Sequence, residues 1–211
     1  NRQNYAQRKT YYIHVPFCIS KCNYCAFFSH ACATPDWKKY CDNICNEIMS
    51  WGNILGKIDV PTVFFGGGTP SLMPVWVFDK IINTVKNSFA LSHDAEITLE
   101  SNPKTLDYIK LGDFYKSGAN RLSIGIQSMD DSKLQFLGRK HTVDDALRLL
   151  GDANRIGIRV SADFIYGLPE ESVDDVIKLC NRINVLGLQH CSLYELSIED
   201  KTPFGMMNLQ M

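Results

Sequence analysis

Three cysteines stand inside eight residues, in the run Cys18-Ile-Ser-Lys-Cys22-Asn-Tyr-Cys25. Thiolates are the favoured ligands of iron–sulfur clusters, and this spacing lets one loop wrap three corners of a cubane. Three ligands for four irons leave one iron with an open position, which is how a catalytic metal takes up a small molecule. A structural zinc site would instead need a fourth Cys or His, for which Cys32 or His30 could serve. Surface thiols without metal are the plainest alternative. An even total of eight cysteines would also suit a disulfide framework in a small secreted domain. At 211 residues and 45% hydrophobic content, however, the chain can build a core without such staples, so a reducing cytoplasm is the expected compartment. The remaining cysteines read as packing. Cys41 and Cys45 fall on one face of a helical stretch, Cys180 and Cys191 lie in helix and strand patterns, and Cys32 is a bystander of the loop.

A second set of residues could hold a polar ligand. Gly66-Gly67-Gly68-Thr69-Pro70 lets backbone approach a ligand closely, and it lacks the Gly-Lys-Ser/Thr ending of a phosphate loop. Glu100, Gln127, Arg139 and Asp163 supply carboxylates, an amide and a cation, the groups that orient a ligand with hydroxyls and an amino-acid end. Tyr12 and His14 alternate with Tyr11 and Ile13, so both belong to one strand face, and His14 lies four residues before Cys18. The other histidines, His30, His93, His141 and His190, read as structural or surface residues.

The elements that must position these groups follow from periodicity. Strand-like runs at 11–15, 62–65, 96–100, 121–126, 159–165 and 191–196 alternate with helical patterns near 36–55, 74–90, 106–117, 143–156 and 173–186. Thr142 with Asp145, and Ser172 with Asp175, place a hydroxyl and an acid where they cap a first turn. Such alternation implies parallel βα units, in which ligands gather at the carboxyl ends of the strands. Through the fifth run, polar or glycine-rich residues fall at that end every time, so one rim site is expected. The segment from Thr202 reads as a chain leaving the sheet.

Lys+Arg (22) and Asp+Glu (23) nearly cancel, which argues against a nucleic-acid partner. No apolar run approaches the ~18 residues of a spanning helix. No basic-then-apolar leader is present, although a chain opening on Asn1 could have lost one.

Tyr12-Ile-His-Val-Pro-Phe-Cys18 with Cys22 and Cys25 resembles the radical S-adenosylmethionine (SAM) signature of the oxygen-independent coproporphyrinogen III oxidase family. Gly66–Pro70, Glu100-Ser-Asn-Pro103, Ser123-Ile-Gly-Ile-Gln127-Ser128 and Asp163-Phe-Ile-Tyr-Gly-Leu-Pro169 are similar to that family's later motifs, in the same order. The resemblance runs from about Tyr11 to the end of the chain. HemN-type oxidases carry a further Cys two residues after the third ligand. Here Ala26-Phe27 follows Cys25, which looks like the HemW branch of haem chaperones, as do the 120–128 stretch and Thr202-Pro-Phe-Gly-Met-Met-Asn-Leu.

The resemblance implies an incomplete (β/α)6 TIM-like barrel over 11–200, an N-terminal extension at 1–10, and a linker at 201–211 toward a C-terminal domain that this chain lacks. It implies that Cys18, Cys22 and Cys25 ligate a [4Fe–4S] cluster whose open iron binds the amino-acid end of SAM. Tyr12, Gly67, Gly68 and Thr69 would line the methionyl end. Glu100, Gln127, Arg139 and Asp163 would contact the rest, with the backbone near Tyr24 beside the adenine. A reduced cluster then cleaves SAM to methionine and a hydrogen-abstracting 5′-deoxyadenosyl radical. Two functions fit. One is haem binding and delivery to respiratory haemoproteins, favoured by Phe27. The other is oxidative decarboxylation of porphyrinogen propionates. Either implies an electron donor such as flavodoxin or ferredoxin.

Overall fold

The computed structural model describes residues 8–207 and residue 209. The N-terminal extension expected at 1–10 therefore lies mostly outside the described residues, as do residues 208, 210 and 211 of the expected linker.

The apolar runs form strands as their β-branched and aromatic content requires. β1 (Arg8–Val15) comes first, and a two-residue parallel pair, β2 (Phe17–Cys18) and β3 (His30–Ala31), closes the cysteine loop at its base. α1 (Trp37–Leu55) leads to β4 (Asp59–Gly67), and α2 (Val75–Ser88) leads to β5 (Ala90–Ser101). α3 (Tyr108–Lys116) precedes β6 (Arg121–Gln127), and a short α4 (Asp131–Phe136) follows it. α5 (Val143–Ile156), β7 (Arg159–Tyr166), α6 (Val173–Asn184), β8 (His190–Glu195) and the single turn α7 (Pro203–Met206) complete the order. Both expected capping boxes are present, Thr142 with Asp145 and Ser172 with Asp175.

The sheet runs β1-β4-β5-β6-β7-β8 and every pairing is parallel. Each strand lies beside its predecessor, the order of an incomplete (β/α)6 barrel. β1 and β8 are the outer strands and do not pair with each other among the described residues.

Alternation sorts the two faces. Ile13, Val15, Val63, Phe65, Leu99, Leu122 and Phe164 point into a core shared with α1, α2, α3, α5 and α6. Phe78 of α2 stands between Phe65 and Phe114, with ring centroids 4.7 and 5.3 Å away. Cys41 and Cys45 are buried in this core, as their spacing anticipates. The opposite face carries Tyr12, His14, Glu100, Ser123, Ser161 and Asp163, and it lines the bore.

The segment from Thr202 does not simply leave the sheet. Thr202 caps α7, and Phe204 is buried against Leu137, Ile165, Leu168 and Leu196. The Phe204 amide donates to the Asn23 carbonyl at 3.0 Å, which ties this turn to the cysteine loop. Pro203 occupies the first position of the turn, where its fixed φ suits a helix start, and the buried Phe204 ring holds the turn against the rim.

Candidate functional site

The cysteine loop is held at several points. The His30 amide donates to the Pro16 carbonyl and the Cys32 amide to the Cys18 carbonyl, both at 2.9 Å, fixing the base. The Cys25 amide donates to the Cys22 carbonyl at 3.2 Å. Asn23 anchors the middle by donating from its backbone to the Leu137 carbonyl (3.0 Å) and from Nδ2 to the Phe136 carbonyl (2.7 Å). His14 Nε2 lies 2.8 Å from the Phe28 carbonyl and holds the far end, so this strand histidine supports the loop. Lys21 Nζ donates to the Phe27 carbonyl at 3.1 Å.

The glycine run ends β4 on the same rim, with Gly66 and Gly67 its last residues and Gly68 just beyond. The Gly68 amide donates to the Val15 carbonyl at 2.7 Å, and the Thr69 amide donates to the Phe17 carbonyl at 2.8 Å. A Cβ at Gly68 would sit 2.7 Å from the Phe17 carbonyl oxygen, so only glycine allows β4 to press this closely against the start of the cysteine loop.

These two segments and the other strand ends enclose one cavity of about 400 Å³. Its lining includes Cys18, Cys22, Cys25, Tyr24, Gly67, Gly68, Thr69, Glu100, Gln127, Arg139 and Asp163. Tyr12 stands outside that lining. It is 57% exposed on the neighbouring inner face and stacks on Phe64, with ring centroids 5.9 Å apart. Cys32 and His30 do not line the cavity, and the His30 ring packs edge-on against Phe17 instead.

The electrostatics of the cavity are those of buried carboxylates. Glu100 Oε2 accepts from the Gly67 amide at 3.1 Å. Its pKa is raised to about 7, by burial first and by nearby Asp163, with the Gly67 N–H working against the rise. Asp163 is also pushed up by burial, opposed by hydrogen bonds from Ser192 and Ser123. Burial pushes the Tyr24 hydroxyl up, against the opposing pull of Arg139. Gln127 adopts φ 71° at a register shift of β6. A non-glycine residue in the left-handed region costs about 1–3 kcal/mol, and such strain is found where a side chain must be aimed. Here it turns the amide into the cavity.

The donor set fits a three-cysteine cluster. Cys18 Sγ accepts from the Thr69 hydroxyl at 3.6 Å and Cys22 Sγ accepts from Arg139 Nη1 at 3.4 Å. Each of these two sulfurs thus has a donor directed at it from the cavity wall. Among the described residues, no three His, Cys, Asp or Glu side chains converge on one point as a single metal ion would require. Arg139 Nε is buried without a hydrogen-bond partner, so the cavity wall retains one unused donor.

Asn102 and Ser123 belong to this site but were not singled out from the sequence. Asn102 accepts from Arg139 Nη2 and donates to Thr69 Oγ1. Its position two residues past Glu100, at the end of a strand, was the available signal. Ser123 faces the cavity because it alternates with buried Leu122 and Ile124 along β6.

Residues 12–183 match the Radical SAM superfamily. The chain is 36% identical over 196 residues to heme chaperone HemW of Escherichia coli (strain K12), covering 92% of this chain and 52% of that protein. It is 33% identical over 202 residues to heme chaperone HemW of Buchnera aphidicola subsp. Schizaphis graminum, covering 95% of this chain and 54% of that protein. The chain thus spans about half the length of these curated relatives. The fold is also similar to that of coproporphyrinogen III oxidase (HemN) from Escherichia coli, a radical SAM enzyme. The TM-score is 0.85 at 24% identity, over 94% of this chain and 46% of that one. No helix among the described residues is long and apolar enough to cross a membrane. The superfamily match extends from the strand before the three cysteines to the helix before the last strand, and the chain belongs to the radical SAM superfamily.

Proposed function

We propose that Cys18, Cys22 and Cys25 hold a [4Fe–4S] cluster with SAM beside it, and that the whole protein binds haem and delivers it to respiratory haemoproteins. The observation that carries the cofactor reading is the meeting of three thiols, a glycine run and four polar side chains around one cavity. When bound and reduced, the cofactors supply one-electron cleavage of a carbon–sulfur bond. The chain's own residues bind and orient. Gly67, Gly68 and Thr69 would hold the methionyl end, with Tyr12 near it. Gln127, Arg139 and Asp163 would contact the remainder, with the backbone near Tyr24 beside the adenine. Glu100, with its pKa raised to about 7, is partly protonated at neutral pH, and a cationic ligand beside it would favour the carboxylate, the proton passing to solvent.

The haem reading draws on the relatives named above and on Phe27. That ring is 70% exposed at the cavity mouth, where a fourth cysteine would mark the oxidase branch. An apolar ring edge is suited to a flat macrocycle and cannot ligate a metal. In this reading residues 11–200 form the cofactor core and the neighbouring segments join it to the rest of a cytoplasmic protein. A flavodoxin or ferredoxin would reduce the cluster.

The test uses the natural full-length protein, reconstituted anaerobically and offered haem or coproporphyrinogen. Stable haem binding without loss of porphyrinogen is expected. Loss of coproporphyrinogen with carbon dioxide release would overturn the chaperone reading. Cys22→Ala should abolish the broad visible absorption of the iron–sulfur centre, and a coloured, iron-containing variant would overturn the ligand assignment.

A further inference from the structure

The side chain of Asn102 lies between two residues that reach cysteine sulfurs. Arg139 can only donate, so Asn102 Oδ1 must face Arg139 Nη2 and Nδ2 must face Thr69 Oγ1, 3.2 Å away. The direction of these bonds has consequences. Thr69 accepts from Asn102 and so keeps its single hydroxyl proton for Cys18 Sγ at 3.6 Å. Arg139 Nη2 is held by Asn102 and by the Gly125 carbonyl at 2.6 Å, which leaves Nη1 on Cys22 Sγ at 3.4 Å. One amide therefore aims a donor at each of two sulfurs through two different partners.

We propose that Asn102 is a positioning residue that raises the reduction potential of the cluster by holding these two donors in place. This rests on the cluster reading above. Hydrogen bonds to ligand sulfurs stabilise the more negative, reduced state and are a principal means by which a protein sets cluster potential. The local backbone does not depend on the amide. The Asn102 carbonyl, not its side chain, accepts from the Thr105 amide (3.0 Å) and hydroxyl (2.8 Å) to close the turn that follows β5.

The experiment is an electron-paramagnetic-resonance redox titration of the natural full-length protein, reconstituted anaerobically, with iron and sulfide content measured alongside. Wild type, Asn102→Leu, Asn102→Ala and Thr69→Val are compared. Both Asn102 variants should keep wild-type iron content and shift the midpoint to lower potential. Thr69→Val removes only the Cys18 arm and should shift it less. Adding Thr69→Val to Asn102→Ala should give less than the sum of the two shifts, because both act on Cys18. A wild-type midpoint in either Asn102 variant at equal iron content overturns the proposal. Loss of the cluster from both variants, with wild type retaining it, also overturns it, since Asn102 would then retain the cluster rather than tune it. A wild type that takes up no iron–sulfur centre overturns the cluster reading itself, and this inference with it.

Discussion

Glu100 sits in the cavity with its carboxylate on the Gly67 amide, and burial lifts its pKa from an ordinary 4.5 to about 7. Folding therefore favours the protonated form. The stability this group contributes is complete below pH 4.5 and is lost as pH rises through about 7. Glu100→Gln should remove the dependence, so wild type loses stability relative to the variant between pH 5 and 8 by about 2–3 kcal/mol. Parallel pH–stability profiles for the two proteins would refute the assignment. Most chemically distinctive residues were legible in the sequence, since cysteines at cluster spacing and a carboxylate ending a strand are informative by type alone. Asn102 was not legible, because its importance lies in which way its amide faces. Gln127 was legible as a polar strand end, but its left-handed backbone was not, because that conformation depends on the register shift with β7.

Among the elements, the rim contact of β1, β2 and β4 is one the site depends on. A Cβ at Gly68 would meet the Phe17 and Val15 carbonyl oxygens at 2.7 and 2.9 Å, both of them backbone. Gly68→Ala should therefore push the glycine run away from the cysteine loop and cost about 1–3 kcal/mol, overpacking with no flexible side chain to yield. Urea denaturation measures the cost, and an unchanged midpoint would show that the two segments separate freely. The capped helices were readable because hydroxyl and acid fall at fixed offsets ahead of an apolar stripe, as at Thr142 and Ser172. The six-residue α4 and the β2–β3 pair were not. Neither is long enough to display a period, and both depend on contacts across the rim such as Asn23 with Phe136 and Leu137.

For the whole molecule, parallel order places every strand's carboxyl end on one edge, which is why a site drawn from residues 18 to 163 meets in one cavity. Strand number and order followed from βα alternation. The polar inner face was harder to see, because a parallel strand covered on both faces ordinarily reads as continuous apolar sequence. Amides of β5 and β6, each with a partner on both sides, should exchange hydrogen more slowly than those of β8, which among the described residues is paired only with β7. Equal protection across the sheet would show that the outer strand is no less stable than the centre. The unjoined edges of β1 and β8 also have a mechanical meaning. A closed barrel has its bore fixed by strand number and stagger. In an open one the width is the accumulated twist of five successive pairings. A few degrees at each pairing add up at the mouth, so the width of the opening depends on how the two outer strands are held.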